Sequence, residues 1–307
     1  MNGTADNQRL NDLNTLFHPR SIAHVGASPK QTPGRFNFTG FMMQMNYTGD
    51  LFPVNPKYDE VIGLKCYPDL TTVPGTIDMV IMAIPAVLCP DILREVPPGK
   101  INYVVIHTSG FGEINKTHLD DEILMLAEEK GFRVVGPNCM GIFSQQGRVG
   151  FWASHAEIIK PGSVGLISQS GGHGINTIEN GIDTGVGFNK VISLGNQLDI
   201  SILEVLDYFS RDDTIGVIGI YMEQISDGRA FANVLRRTTL KKPVVIWKGG
   251  RTEAGQAAAA THTGSMAGNN EIFAAVMHQC GAVMADDMSE FINLIQITAG
   301  IRKTIFK

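Results

Sequence analysis

Short apolar runs rich in Val and Ile constrain this chain most. They recur at Ser21–Val25, Met79–Ile84, Tyr103–His107, Arg133–Val135, Val164–Ser168, Val191–Leu194, Ile215–Tyr221 and Val244–Lys248. Runs this short, without polar alternation, predict strands buried on both faces. Between several of them the spacing becomes helical. Leu119–Lys130 places Leu119, Ile123, Leu126 and Ala127 on one face, and Gly131 follows as a helix terminator. Ile200–Ser210 and Arg229–Thr238 behave similarly. Strands alternating with helices predict an α/β protein with mainly parallel sheets.

A chain of 307 residues is too long for one ordinary core and suits two domains. Ser144–Gly162 breaks the rhythm, with Gln145-Gln146-Gly147 and a closing Lys160-Pro161-Gly162. The boundary is therefore expected near residue 150, giving domains 1–150 and 151–307. The 34 Gly exceed the usual ~7%. They fall mostly where apolar runs end, as turns do, and not in a collagen or linker pattern.

Charge and composition remove several classes. The 25 Lys+Arg against 30 Asp+Glu leave a net charge of −5, without the basic excess of a nucleic-acid binder. With 43% hydrophobic and 18% charged residues the chain is not disordered. Cys66, Cys89, Cys139 and Cys280 form no CxxC motif, so no metal or redox site is expected. Buried free thiols are the simpler reading. The N-terminal MNGTADNQRLNDLN lacks a signal core. The longest apolar stretch, Met79–Leu88, is about half the ~20 residues of a spanning helix and contains Pro85. A soluble cytoplasmic protein, without membrane or nucleic-acid partners, is expected.

The strand ends carry the chemistry. The first strand closes in Gly26-Ala27-Ser28, where small residues let backbone N–H groups approach a phosphate. An ordinary tight turn would read the same way, and the full GxGxxG is absent. Further loops follow later strands: Asn55-Pro56-Lys57, Ile84-Pro85-Ala86, Thr108-Ser109-Gly110 and Gly136-Pro137-Asn138. In an open parallel sheet such loops converge on one crevice. Lys57 favours a phosphate over a free ribose diol.

In the second half, Ser168-Gln169-Ser170-Gly171-Gly172-His173 joins a strand to a helix, and a helix N-terminus with free amides is a ready anion site. A hydrolase elbow is disfavoured, because Ser168 stands where GxSxG needs Gly. His173 could contact phosphate or acyl group, or simply face solvent. His262 sits in Thr261-His262-Thr263-Gly264-Ser265-Met266-Ala267-Gly268, open among small residues. A neutral imidazole is a competent nucleophile, and a carboxylate on its other nitrogen fixes the tautomer. Glu223, just past the Ile215–Tyr221 strand, could supply it, or could be a solvated strand-end charge.

Taken together and in order, HVGAS (24–28), VNPK (54–57), GPNCMG (136–141), LISQSGG (166–172), SLGNQLDI (193–200), YMEQISDGRAF (221–231) and THTGSMAG (261–268) resemble the α-subunit side of the NDP-forming acyl-CoA synthetases. That superfamily includes succinyl-CoA synthetase and the ADP-forming acetyl-CoA synthetases, and the wording is nearer the latter. The resemblance runs from about Leu16 to Leu294. It implies a Rossmann-like CoA-binding domain followed by a flavodoxin-like domain. It also implies the reaction acyl-CoA + phosphate + NDP ⇌ acid + CoA + NTP, through an acyl phosphate and a phosphohistidine.

By the same resemblance, His262 is the phosphorylated residue and Glu223 its holder. Ser168, Gln169, Ser170, Gly171 and Gly172 form the phosphate site, with Thr263 and Gly264 nearby. Gly26, Ala27, Ser28, Lys57, Pro85, Ser109, Gly110 and Asn138 line the coenzyme A site. The loop 256–268 is expected to move so that phospho-His262 reaches a second site. No ATP-grasp domain is visible in the sequence. Mg2+ and ADP/ATP are therefore expected on a β-type ATP-grasp partner in a hetero-oligomer, or on the missing part of a fused enzyme. A CoA-binding regulatory module without turnover is the alternative, and a Rossmann dehydrogenase is weaker because GxGxxG is missing.

Overall fold

The apolar runs form parallel sheets, and their burial is as complete as their composition demands. The computed structural model describes residues 13–29, 36–151, 161–250 and 270–305. The chain divides into two units: Met1–Glu157 with Leu194–Ile200, and Ile158–Ser193 with Ser201–Lys307.

The first unit contains α1 (Leu13–Phe17), β1 (Ser21–Val25), α2 (Phe38–Gln44) and β2 (Asp50–Val54). A small antiparallel pair follows, β3 (Glu60–Val61) with β4 (Leu64–Lys65). Then come β5 (Ile77–Met82), α3 (Cys89–Arg94), β6 (Ile101–Ile106), α4 (Thr117–Lys130) and β7 (Arg133–Val135). The antiparallel β8 (Gly141–Ser144) and β9 (Val149–Gly150) complete it. The parallel order is β2-β1-β5-β6-β7. Every residue of β1 and β5 is buried. A strand covered on both faces cannot afford polar alternation. The α4 helix buries Leu119, Ile123, Leu126 and Ala127, and Gly131 ends it in the left-handed region. β2 escapes sequence detection because Pro53 interrupts it; as an edge strand it tolerates the missing donor.

The second unit alternates strictly: β10 (Val164–Ser168), α5 (Gly171–Asp183), β11 (Phe188–Ser193), α6 (Ile202–Arg211), β12 (Val217–Met222), α7 (Gly228–Thr239), β13 (Val244–Lys248), α8 (Asn270–Gln279), β14 (Val283–Ala285) and α9 (Met288–Ile305). Its parallel strands lie in the order β14-β13-β12-β10-β11. Ser201 and Glu204 form a capping box on α6, and the Asp227 carboxylate accepts from the Ala230 amide at 2.8 Å to start α7.

In both units the chain leaves the first strand on one side and returns on the other. The topological switch lies between β1 and β5, and between β10 and β12. Such a switch opens a crevice at the carboxyl ends of the strands.

Leu194–Ile200 belongs to the first unit although its neighbours in sequence belong to the second. It runs beside β7. The Leu198 amide donates to the Gly136 carbonyl at 2.9 Å and the Ile200 amide to that of Val134 at 3.0 Å. The Arg133 guanidinium grips Asp199 with two nitrogens, at 2.8 and 2.9 Å. Asp199 also accepts from the Val134 amide at 2.8 Å. All four cysteines are buried free thiols, and no helix among the described residues is long and apolar enough to cross a membrane.

One buried charge stands out in the second unit. Lys190 is 1% exposed, and its ammonium lies 2.8 Å from Asp212. It also donates to Asn189 at 3.0 Å and to Thr214 at 3.3 Å. Burial works against the Asp212 charge, but the Lys190 and Thr214 hydrogen bonds outweigh it and hold the carboxyl below its usual range. A carboxyl lowered on folding contributes stability above its unfolded pKa and loses it as pH falls through the folded value. Asp212→Ala should therefore cost about 3 kcal/mol, because it strands a buried ammonium. The urea midpoint of the wild type should also fall more steeply with acidification through the carboxylate range than that of the variant. Equal midpoints for the two proteins at neutral pH would refute the assignment.

Candidate functional site

The register of the first sheet brings its strand ends level. Val25 pairs with both Val54 and Met82, Met82 with Ile106, and Val105 with Val135. The loops carrying Gly26, Ala27, Ser28, Lys57, Pro85, Ser109, Gly110 and Asn138 consequently follow five adjacent strands on one edge. Gly26 stands at the switch. Its φ is +94°, its amide donates to the Val54 carbonyl at 2.9 Å, and a Cβ there would lie 2.5 Å from the Ala83 carbonyl oxygen. Only Gly allows that approach. The Asn55 side chain fastens the neighbouring loop, donating to the Ala27 carbonyl at 2.7 Å and accepting from the Lys57 amide at 3.0 Å. The Lys57 side chain is left exposed.

Three residues not anticipated from sequence share this edge. Glu113 accepts from the Gly110 and Phe111 amides, and from the Asn196 side chain at 2.6 Å. Burial raises its pKa, but these donors prevail and keep the carboxyl below its usual range. The Gly110 amide is thus engaged by a carboxylate in this structure. Asn196 also approaches the Asn138 side chain, at 3.4 Å. His107 follows β6, and its Nδ1 lies 2.8 Å from the Cys139 carbonyl, so Nδ1 carries the proton. Burial lowers its pKa against that hydrogen bond, and Phe36 and Phe38 pack edge-on against the ring at 4.7 and 4.9 Å.

The second unit gathers its candidates at the ends of β10, β12 and β13. Ser168 is fully buried and its hydroxyl donates to the Ser170 carbonyl at 2.6 Å. The Gln169 side chain spans the switch point. Its oxygen accepts from the Glu223 amide, and from the Gln224 amide at 2.9 Å, while its nitrogen donates to the Gln224 carbonyl at 2.8 Å. Gln169 therefore builds the loop that places Glu223, while Ser168 holds the turn that leads into α5. Ser170 caps α5, accepting from the His173 amide at 3.3 Å. Gly171 and Gly172 form the first turn of α5 and bring its open amides to this edge.

Glu223 is surrounded by groups that respect its charge. The Tyr221 hydroxyl donates to its carboxylate at 3.2 Å. Burial, and then the Glu223 charge, push the Tyr221 pKa well up, so the hydroxyl stays a donor. The Lys248 ammonium donates to the Glu223 carbonyl at 2.6 Å and to the Gly249 carbonyl at 2.8 Å. Burial lowers the Lys248 pKa and the Glu223 charge opposes it. Gly249 is required here, because a Cβ would lie 2.7 Å from the Tyr221 hydroxyl. His262, Thr263 and Gly264, with the motion expected of 256–268, lie outside the described residues.

This arrangement offers two things at one sheet edge: helix amides for an anion, and a braced carboxylate for a cationic or N–H partner. Comparison with known proteins gives it a context. Residues 20–145 match the family model of a CoA binding domain, and residues 161–298 that of a succinyl-CoA ligase like flavodoxin domain. An ADP-forming acetate–CoA ligase II of Archaeoglobus fulgidus is 37% identical over 290 residues, which are 92% of this chain and 42% of that protein. The subunit alpha of the Pyrococcus furiosus ADP-forming acetate–CoA ligase II is 35% identical, over 92% of this chain and 62% of its own. The dinucleotide forming acetyl-coenzyme A synthetase 1 of Ca. Korarchaeum cryptofilum, solved with phosphate and ADP, superposes with a TM-score of 0.87 at 34% identity, over 94% of this chain and 62% of that one. The chain spans about half the length of the curated relatives it matches. With both domains present in this order, the chain belongs to the NDP-forming acyl-CoA synthetase superfamily, on its CoA-binding, α-subunit side.

Proposed function

We propose that this chain is the α-type part of an NDP-forming acyl-CoA synthetase, working through an acyl phosphate and phospho-His262. The observation that carries the proposal is the braced Glu223 carboxylate beside the open N-terminus of α5 at the second sheet's switch point.

In this account the first unit binds coenzyme A, with its phosphates met by the Gly26–Ser28 turn and Lys57. An oxygen of inorganic phosphate attacks the thioester carbonyl. A C–O bond forms, the C–S bond breaks, and the leaving sulfur takes the proton that phosphate gives up. The amides of Gly171 and Gly172 stabilise the negative charge. A ring nitrogen of His262 then attacks phosphorus, and the carboxylate leaves with the bridging oxygen. Glu223 accepts from the other ring N–H and stabilises the positive ring. Phospho-His262 finally passes its phosphoryl group to a nucleoside diphosphate. The nucleotide and Mg2+ belong to a β-type ATP-grasp subunit or domain, so the working enzyme is a hetero-oligomer or a fused chain. Gln169 acts by shaping the loop around Glu223, and Ser168 by holding the turn that opens α5.

Incubation with the ATP-grasp partner, labelled ATP and Mg2+ should give acid-labile label on the wild type and none on His262→Asn. Equal label on both would refute the proposal. Coenzyme A binding with no label under any partner would favour a regulatory module instead. Glu223→Gln should slow His262 phosphorylation, by about a hundredfold if it acts as the orienting carboxylate. Coenzyme A affinity should be unchanged, and a loss of it would show Glu223 misplaced. Gly26→Ala should weaken coenzyme A binding and leave labelling from ATP intact; unaltered binding would remove the first switch point from the site.

A further inference from the structure

We propose that His173 is a positioning residue that ties the N-terminus of α5 to the Glu223 carboxylate, holding the two sides of the phosphate site at a fixed spacing. The inference rests on the function proposed above, but its physical basis is a continuous chain of contacts within the second unit.

His173 is the third residue of α5 and is partly buried. Its amide donates to the Ser170 hydroxyl oxygen at 3.3 Å, and its Nδ1 lies 3.1 Å from the same oxygen. With the ring neutral, the Ser170 hydroxyl can give its proton to Nδ1 while its oxygen accepts from the amide. Nδ1 is then an acceptor and the ring proton sits on Nε2. Burial favours this neutral ring by lowering its pKa, with the Glu223 charge opposing. Among the described residues, nothing hydrogen-bonds Nε2.

One face of the imidazole lies flat on Tyr221, with centroids 4.4 Å apart and planes 11° apart. The Trp247 ring packs edge-on at 5.1 Å from His173 and 4.6 Å from Tyr221. Tyr221 in turn donates to Glu223 Oε1 at 3.2 Å, and Gly249 leaves room for the same hydroxyl, which a Cβ there would meet at 2.7 Å. Ser170, His173, Tyr221 and Glu223 are thus linked in sequence. The first member caps the helix whose amides would receive phosphate. The last is the carboxylate that would orient His262.

Remove the acceptor at Nδ1 and the Ser170 hydroxyl can turn, which disturbs the helix end alone. Remove the ring while keeping an acceptor in place of Nδ1, and Tyr221 loses the surface that aims its hydroxyl, which disturbs Glu223 alone. A residue that only filled space would show no such separation. His173 is packed against Tyr221 and Trp247 and does not stand free in solvent as a simple turn residue would.

The two halves can be separated with the chain assembled on its ATP-grasp partner. His173→Phe keeps a ring on Tyr221 and loses the acceptor. His173→Asn keeps an acceptor near Nδ1 and loses the ring. Expected are a KM for inorganic phosphate about tenfold higher in His173→Phe, and His262 labelling about tenfold slower in His173→Asn, each the size of one lost hydrogen bond. Adding Tyr221→Phe to His173→Asn should slow labelling no further. A parallel change of both quantities in both variants, or no change in either, would overturn the inference. Ring 15N and Tyr221 13Cζ shifts in the full chain provide a readout independent of activity. Ser170→Ala should move the Nδ1 shift, and His173→Asn should move that of Tyr221. If neither moves, the link does not exist. Shifts that move in a wild type that takes no label would overturn the synthetase reading and leave the link standing.

Discussion

A parallel sheet covered on both faces can meet a ligand only at its strand ends, and the placement of the candidate site residues follows from that constraint. β1, β5, β10 and β12 are buried along their whole length. Their faces are occupied by packing, and the few polar side chains there, such as His24 and Asp78, are taken up by hydrogen bonds to Thr39 and to Arg20 and Asn102. Chemistry is displaced to the loops, and the level register concentrates those loops on one edge of each sheet. The switch between β1 and β5, and between β10 and β12, opens each edge at its middle.

At the second switch point the loops hold one another. Gln169, at the end of β10, fixes the backbone after β12 through the amides of Glu223 and Gln224. Lys248, at the end of β13, binds the Glu223 carbonyl at 2.6 Å. Glu223 is therefore carried on backbone anchored from two neighbouring strands, while Tyr221 directs its carboxylate. The role proposed for Glu223, orienting His262, would call for this kind of support, since small displacements weaken an oriented hydrogen bond steeply.

Fold class was legible because buried strands and amphipathic helices leave local patterns, and the position of Glu223 was legible because it directly follows a strand. Other features depend on long-range contacts that no local pattern records. β2 was hidden by Pro53, which an edge strand tolerates. The path of Leu194–Ile200 is set by Arg133, some sixty residues earlier, gripping Asp199. Gln169 reads in sequence as a phosphate ligand, but its amide is spent on the Glu223 loop. Tyr221 and Lys248 read as ordinary strand residues until the sheet order sets them beside Glu223. Glu113 became visible only when its carboxylate was seen on the Gly110 amide.

An acyl phosphate formed at the second unit and cleaved at its P–O bond would leave a trace in the product. The most direct measurement follows the oxygen. The enzyme, assembled with its ATP-grasp partner, would be given acyl-CoA, nucleoside diphosphate and 18O-labelled phosphate, and the carboxylic acid product weighed by mass spectrometry. Attack by phosphate followed by phosphoryl transfer to His262 leaves one phosphate oxygen in each carboxylate. Product carrying one 18O per molecule is the predicted result; product whose carboxylate carries no 18O would contradict the account.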